Sequence, residues 1–302
     1  MLAGLRASVS KLVAEGQMPF EDLGMCVYRY RATTSLSKLT SRGIGLCFVL
    51  QGSKQLDVAS HALEAEAGQM VVVTRGADLQ VVVHVEEHDR PYLALSVWFD
   101  PERVARALLR LAELEASTGL AEYAEYAEYT EDLPAFTTKP TAAIVSALER
   151  LLDAAADPVD RTTIAPLILD ELMFRLLRTN AAGAVRAGMG PPQEVARILE
   201  VMQFIRANCT RKLSVSSLAK RVAMSASHFA HQFSRIAHVS PMKYVREVRL
   251  ERARALLGEK GARPTDVAMQ VGFESAAHFT REFKRRFGVP PSRYRERVVV
   301  AR

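Results

Sequence analysis

The sequence predicts an α+β N-terminal part, a jelly-roll type β-barrel with helices, followed by an all-α C-terminal part with two helix-turn-helix units. Three observations predict it. Short Val-rich apolar runs fill residues 25–99, helical periodicity takes over after Phe99, and one pattern near the C-terminus occurs twice. Charge divides the chain along the same line. Residues 190–302 hold 22 Lys and Arg against 9 Asp and Glu, a net of +13. Residues 1–189 hold 18 against 25, a net of −7, which leaves the +6 of the whole 302-residue chain. Each half is long enough to enclose a core of its own.

Taken in order, Met1–Met18 reads as an amphipathic helix with scattered charge rather than a secretory signal. No apolar run is long enough to span a bilayer, so the expectation is a cytoplasmic protein without membrane contact. The three cysteines, Cys26, Cys47 and Cys209, show neither metal spacing nor an even disulfide framework. They are expected to be buried small apolar residues in a reducing compartment.

Five segments then read as strands: Met25–Tyr28, Gly45–Leu50, Gln69–Val73, Leu79–Val85 and Tyr92–Phe99. Many short strands with Gly, Asp, Ser or Pro between them suggest an antiparallel sandwich or barrel. His84 and His88, with Glu86 between them and His61 as a possible third imidazole, are plausible zinc or iron ligands. Their spacing is not a recognised metal signature, and His84–Asp89 equally ends a strand in a charged turn, so neither metal nor cofactor is expected. No spacing supports a nucleophile–base or paired-carboxylate arrangement. Arg42, Arg75 and Tyr92 interrupt strands with polar groups; they are candidate effector contacts or ordinary turn residues.

Past Phe99 the chain turns helical. Asp100 caps, Pro101 opens, and Val104, Leu108, Leu111 and Leu114 supply a stripe. A three-residue Ala-Glu-Tyr repeat over 121–129 fits either an interface or a solvated helix. Helices are expected at about Pro140–Ala155 and Thr163–Thr179, the second apolar enough to pack on the barrel or on a sister subunit through residues such as Leu172 and Leu176. Residues 181–193, with three Gly and two Pro, read as a linker between parts spanning 1–180 and 194–302.

The duplicated pattern lies at Leu218–Tyr244 and Val267–Tyr294. Leu218-Ala219-x-x-Val222 matches Val267-Ala268-x-x-Val271 at an offset of 49; Ser225-Ala226-x-His228-Phe229-x-x-x-Phe233-x-Arg235 matches Ser275-Ala276-x-His278-Phe279-x-x-x-Phe283-x-Arg285 at 50. Each copy reads as a short helix, a tight turn and a second helix. Periodicity alone fits a plain bundle with a duplicated helix pair equally well. The excess of basic residues favours a phosphate-backbone binder. On the second helix of each copy, the face opposite the phenylalanines presents Ser227, Ala230 and His231, and Ala277, Thr280 and Arg281, as base contacts. Ser225, Arg235, Ser275, His278, Lys284 and Arg285 are candidate phosphate contacts.

Leu213–Tyr294 resembles the DNA-binding domain of AraC/XylS-type transcriptional regulators, above all in the run from Val267 to Pro291. That resemblance implies two helix-turn-helix units joined by a central helix, here Val245–Leu257, and docked in successive major grooves. Gly45–Lys54, Arg90–Leu95 and Ala165–Arg178 resemble the N-terminal, cupin-like domain of one subfamily. The implied protein is a non-enzymatic regulator that binds double-stranded DNA. A small-molecule effector or a homodimer contact in the N-terminal domain would control it, and RNA polymerase would be a partner if it activates. A metal-dependent cupin enzyme fused to a DNA-binding domain is the alternative. Regulation by concentration or a protein partner is another.

Overall fold

The computed structural model describes residues 2–41, 43–58, 61–85, 90–118, 134–189, 191–258 and 262–294. They form two compact units, Met1–Val195 and Ala196–Arg302. Arg42, Glu86, His88 and the Ala-Glu-Tyr repeat lie outside the described residues.

The first unit is built on two antiparallel sheets. The larger holds β1 (Gly16–Phe20), β2 (Met25–Tyr30), β9 (Tyr92–Trp98), β4 (Gly45–Gln51), β7 (Met70–Val73) and β10 (Ala135–Thr138), in that spatial order. The smaller runs β3 (Thr34–Ser41), β8 (Ala77–His84), β5 (Ser53–Val58) and β6 (His61–Glu66). The sheets do not close on each other, which corrects the expected barrel to an open sandwich. Among the described residues no strand pairs beyond β1 or β10 in the larger sheet, and β1 carries Pro19, which has no N–H to offer a further strand.

Between the sheets lies an apolar layer in which Cys47, Val49, Tyr92 and Ala94 of the larger sheet meet Leu56, Val58, Val81 and Val83 of the smaller. Alternation turns Leu46, Phe48, Leu93 and Leu95 to the opposite face, where α1 (Leu2–Leu12) packs over β2, β4 and β9. Arg6 of α1 donates from Nε to the Leu50 carbonyl at 2.7 Å. Helices α3 (Ala142–Ala156) and α5 (Ala165–Leu176) continue this layer, with α2 (Pro101–Thr118) against α5 and the short α4 (Pro158–Thr163) between α3 and α5 in the chain. β4 and β9 are thus buried on both faces, which is why they read as apolar runs broken within the strand only by Ser96 and, at the end of β4, by Gln51.

Two expectations change here. Leu172 and Leu176 are fully buried inside the subunit, so they are core residues rather than interface residues. The exposed large apolar side chains nearby are Val159, Ile164 and Leu167. Residues 181–193 are helical over Ala181–Met189 (α6), with Ala181, Ala182, Ala184, Val185 and Met189 buried; Gly183 and Gly188 lie within that helix. α7 (Pro192–Asn208) follows at once.

The second unit continues with α8 (Val215–Arg221), α9 (Ala226–Ala237), α10 (Pro241–Leu257), α11 (Pro264–Gln270) and α12 (Ala276–Phe287). Its cores are aromatic: Phe233 packs tilted on Phe229 and edge-on with Tyr244, and Phe279 packs edge-on with Phe273 and tilted on Phe283. Each short-helix pair turns through one left-handed residue, Ala223 at φ 54 and Gly272 at φ 91. The second helices, α9 and α12, also end alike, at His238 (φ 55) and Gly288 (φ 76). The first copy places side chains where the second uses glycine.

Candidate nucleic-acid interface

The two second helices are started by the same device. Ser225 accepts from the backbone N–H of His228 at 3.3 Å, and Ser275 from that of His278 at 3.3 Å. Each N-cap satisfies one of the orphan donors of its helix. Phe229, Phe233 and Ile236 anchor α9, and Phe279 and Phe283 anchor α12. The opposite faces are therefore solvent-facing. Ser225, Ser227 and His231 are exposed on the first, with Ala230 and Arg235 half-buried. Ser275, Ala277, His278, Thr280, Arg281, Lys284 and Arg285 are exposed on the second. Each predicted set thus stands along one face of one helix. Thr280 already donates its hydroxyl to the Ala276 carbonyl at 2.9 Å, leaving its oxygen lone pairs for a base donor.

The basic residues of α12 are not equivalent. Glu282, only 8 % exposed, faces α10 and pairs with Arg246 at 3.1 Å and with Arg285; the His278 ring lies 3.9 Å away. Arg286 pairs with Glu251 of α10 at 3.2 Å and lies over the Phe287 ring. Among the described residues the side chains of Arg281 and Lys284 make no hydrogen bond or ion pair, and both are exposed. Ser275–Arg286 holds Arg281, Lys284, Arg285 and Arg286 against Glu282, a net of +3, which is in part consumed within the fold.

The Glu282 carboxylate and its partner Arg246 were missed by the sequence reading. The signal was present: an acid on the same stripe as Phe279 and Phe283 must be buried, and a buried carboxylate requires a cationic partner. The repeat places Gln232 at the matching position of α9; it too is buried, and its Oε1 accepts no hydrogen bond among the described residues. A second missed residue is Arg249 of α10. It donates from Nε to the Cys209 carbonyl at 2.7 Å and from Nη2 to the Arg211 carbonyl at 2.9 Å.

In the first unit, the structure brings Tyr28, Ser96 and Tyr92 to the inner face of the sandwich. The Tyr28 and Ser96 hydroxyls are 3.1 Å apart, and burial pushes the Tyr28 and Tyr92 phenols above their ordinary range. Tyr92 is thus an interior strand residue rather than a turn residue. Arg75 is half-buried in the β7–β8 turn. Among the described residues no group of three or more His, Cys, Asp and Glu could hold a metal ion, but two of the proposed ligands, Glu86 and His88, lie outside that set. Nor is any helix among them long and apolar enough to cross a membrane.

A helix-turn-helix domain family matches residues 218–297. The HTH-type transcriptional regulator ExsA of Pseudomonas aeruginosa is 26 % identical over 233 residues, covering 76 % of this chain and 74 % of its own.

 The HTH-type transcriptional regulator YdiP of Escherichia coli, itself uncharacterized, is 28 % identical over 116 residues; the match spans 38 % of this chain and 38 % of YdiP. The crystal structure of unsaturated fatty acid bound ToxT from Vibrio cholerae aligns over 89 % of this chain and 93 % of its own, at 12 % identity and a TM-score of 0.49. The decisive match lies in the half without the duplicated helices: residues 23–184, more than half of the chain, fit the N-terminal domain of AraC-type transcriptional regulators, and the protein belongs to that family.

Proposed function

We propose that α9 and α12 each enter a major groove of double-stranded DNA. In this reading Ser227, Ala230, His231, Ala277, Thr280 and Arg281 meet base edges, and Ser225, Arg235, Ser275, His278, Lys284 and Arg285 meet phosphates. The observation that carries the reading is the repetition. Two helices with the same serine cap, the same buried phenylalanines and the same solvent-facing positions stand in the basic half of the chain. The test is selection of duplexes from a random pool by the full chain, followed by footprinting. Two protected blocks about one helical turn apart, roughly 10–10.5 base pairs, are expected. A single block, or no sequence preference, would sink the proposal.

The proposal extends to the rest of the chain. Residues 1–180 act as the sensor and dimerisation part, 181–193 as the connection and 194–302 as the reader. A small molecule binds between the sheets, where the Tyr28, Ser96 and Tyr92 hydroxyls offer a few polar groups within an apolar interior. A thermal-shift screen of the full chain tests this; if no compound raises the unfolding temperature, control by concentration or a protein partner is the better reading. Homodimerisation uses the exposed Val159, Ile164 and Leu167. The protein works in the cytoplasm as a regulator rather than a catalyst, and it contacts RNA polymerase if it activates.

A further inference from the structure

We infer that Arg249 is the positioning residue that holds the two helix-turn-helix units in one register and thereby sets the half-site spacing the protein accepts. The inference rests on the proposal that both α9 and α12 read DNA. α10 joins the two units through the chain, packs on α9 through Phe233 and Tyr244, and holds α12 through the Arg246–Glu282 and Arg286–Glu251 pairs, but none of these contacts reaches the segment that leads into α8. Arg249 adds a cross-tie. Its guanidinium bridges the Cys209 and Arg211 carbonyls at 2.7 and 2.9 Å, immediately after the C-terminus of α7. A cation is favourable there because it stands just past the C-terminal, negative end of α7. Three residues beyond Arg211, Ser214 caps α8 and opens the first unit.

The other side of the same guanidinium meets the second unit. A Cβ at Gly272, the left-handed turn residue between α11 and α12, would lie 3.1 Å from Nη2 of Arg249 and 2.9 Å from the Thr210 carbonyl oxygen. The segment leading into the first unit is therefore packed against the turn of the second, with Arg249 between them. The planar fork of an arginine can satisfy two carbonyls at once and still present an edge to the turn, which a lysine ammonium cannot reproduce. None of the atoms involved belongs to the proposed DNA-facing set, so Arg249 acts through the placement of α9 and α12.

The experiment uses the full chain and duplexes selected by the wild-type protein, with one or two base pairs inserted or removed between the two protected blocks. Wild type is expected to lose affinity about tenfold or more per altered base pair, as expected when one unit is forced off its contacts. For Arg249→Met the ratio of affinities between the selected and altered spacings should fall at least threefold, with Arg249→Lys intermediate. A general loss of stability lowers the folded fraction equally for every duplex, so it leaves this ratio unchanged. Should Arg249→Met not fold, Arg249→Lys carries the test alone. A spacing profile in the folded variant that matches wild type overturns the inference. Absence of two blocks with wild-type protein overturns the DNA-reading proposal instead.

Discussion

Removing Lys284 isolates one charge. Its ammonium stands on the exposed face of α12 and, among the described residues, is engaged by no acid, whereas Arg285 and Arg286 are tied to Glu282 and Glu251. Each phosphate neutralised contributes roughly 0.9 to the slope of log affinity against log salt. A fourfold rise in salt, from about 50 to about 200 mM, therefore costs each such contact roughly 3.5-fold in affinity. Lys284→Ala should lower the slope by about 0.9 on specific and random duplexes alike, and so lose about 3.5-fold less over that range. Arg285→Ala should lower it by less, because the arginine charge is partly cancelled by Glu282; it should also reduce thermal stability, since a buried carboxylate loses one of two partners. Arg281→Ala and His231→Ala should behave differently, costing about 1–3 kcal/mol on the selected site with little change on random DNA. The assay is equilibrium binding of each variant to selected and scrambled duplexes across a salt series. If Lys284→Ala leaves random-DNA affinity and its slope untouched, α12 does not lie against the phosphates as proposed.

Three further outcomes are expected. Ala223→Gly should stabilise the second unit by about 0.5–1 kcal/mol, since a left-handed alanine costs roughly 1–2 kcal/mol and glycine gives back part of that through the unfolded chain; Gly272→Ala, with its Cβ 2.9 Å from the Thr210 oxygen, should destabilise by about 2–3 kcal/mol, and thermal unfolding reads both. Asp at Val159 and Leu167, 68 % and 63 % exposed, should weaken self-association in sedimentation without lowering the unfolding temperature, whereas Asp at the buried Leu172 should unfold the first unit; unchanged sedimentation of the first pair rules out that interface. Burial pushes the His238 imidazole below its ordinary value of 6.5, so the unfolded chain binds a proton before the folded one does. Stability should accordingly fall as pH drops below 6.5 and level off once the folded imidazole is protonated; His238→Asn, which tolerates the left-handed cap, should flatten that part of a denaturant-midpoint profile.

The duplicated helices were legible because their signals are local. Ser225 and Ser275 cap, the phenylalanines repeat at helical spacing, and turn chemistry marks the gap between them. β4 and β9 were legible for a related reason: buried on both faces, they are almost continuous apolar runs. β3, β5 and β6 were not read as strands. Segments such as Ser53–Val58 bury only Leu56 and Val58, and their polar positions look like loop when no partner strand is known. β10 is a short edge strand far in sequence from its partner β7, so nothing local announces it. The site divided similarly. Exposed residues of α9 and α12 follow from helical geometry, but the Glu282–Arg246 pair spans 36 residues and Arg249 reaches backbone carbonyls 38 and 40 residues away. Backbone carbonyls leave no side-chain pattern by which such a partner can be anticipated.

The double burial of β9 has a mechanical consequence. Tyr92 and Ala94 belong to the layer between the sheets, while Leu93 and Leu95 belong to the layer under the helices, and the four alternate along one rigid strand. An object large enough to displace Tyr92 outward cannot leave Leu93 where it was. Close-packed interiors do not absorb such a shift gradually; they hold one arrangement or switch to another. The strand is therefore a lever with one arm in each layer, and the helix layer feels whatever is lodged in the sandwich.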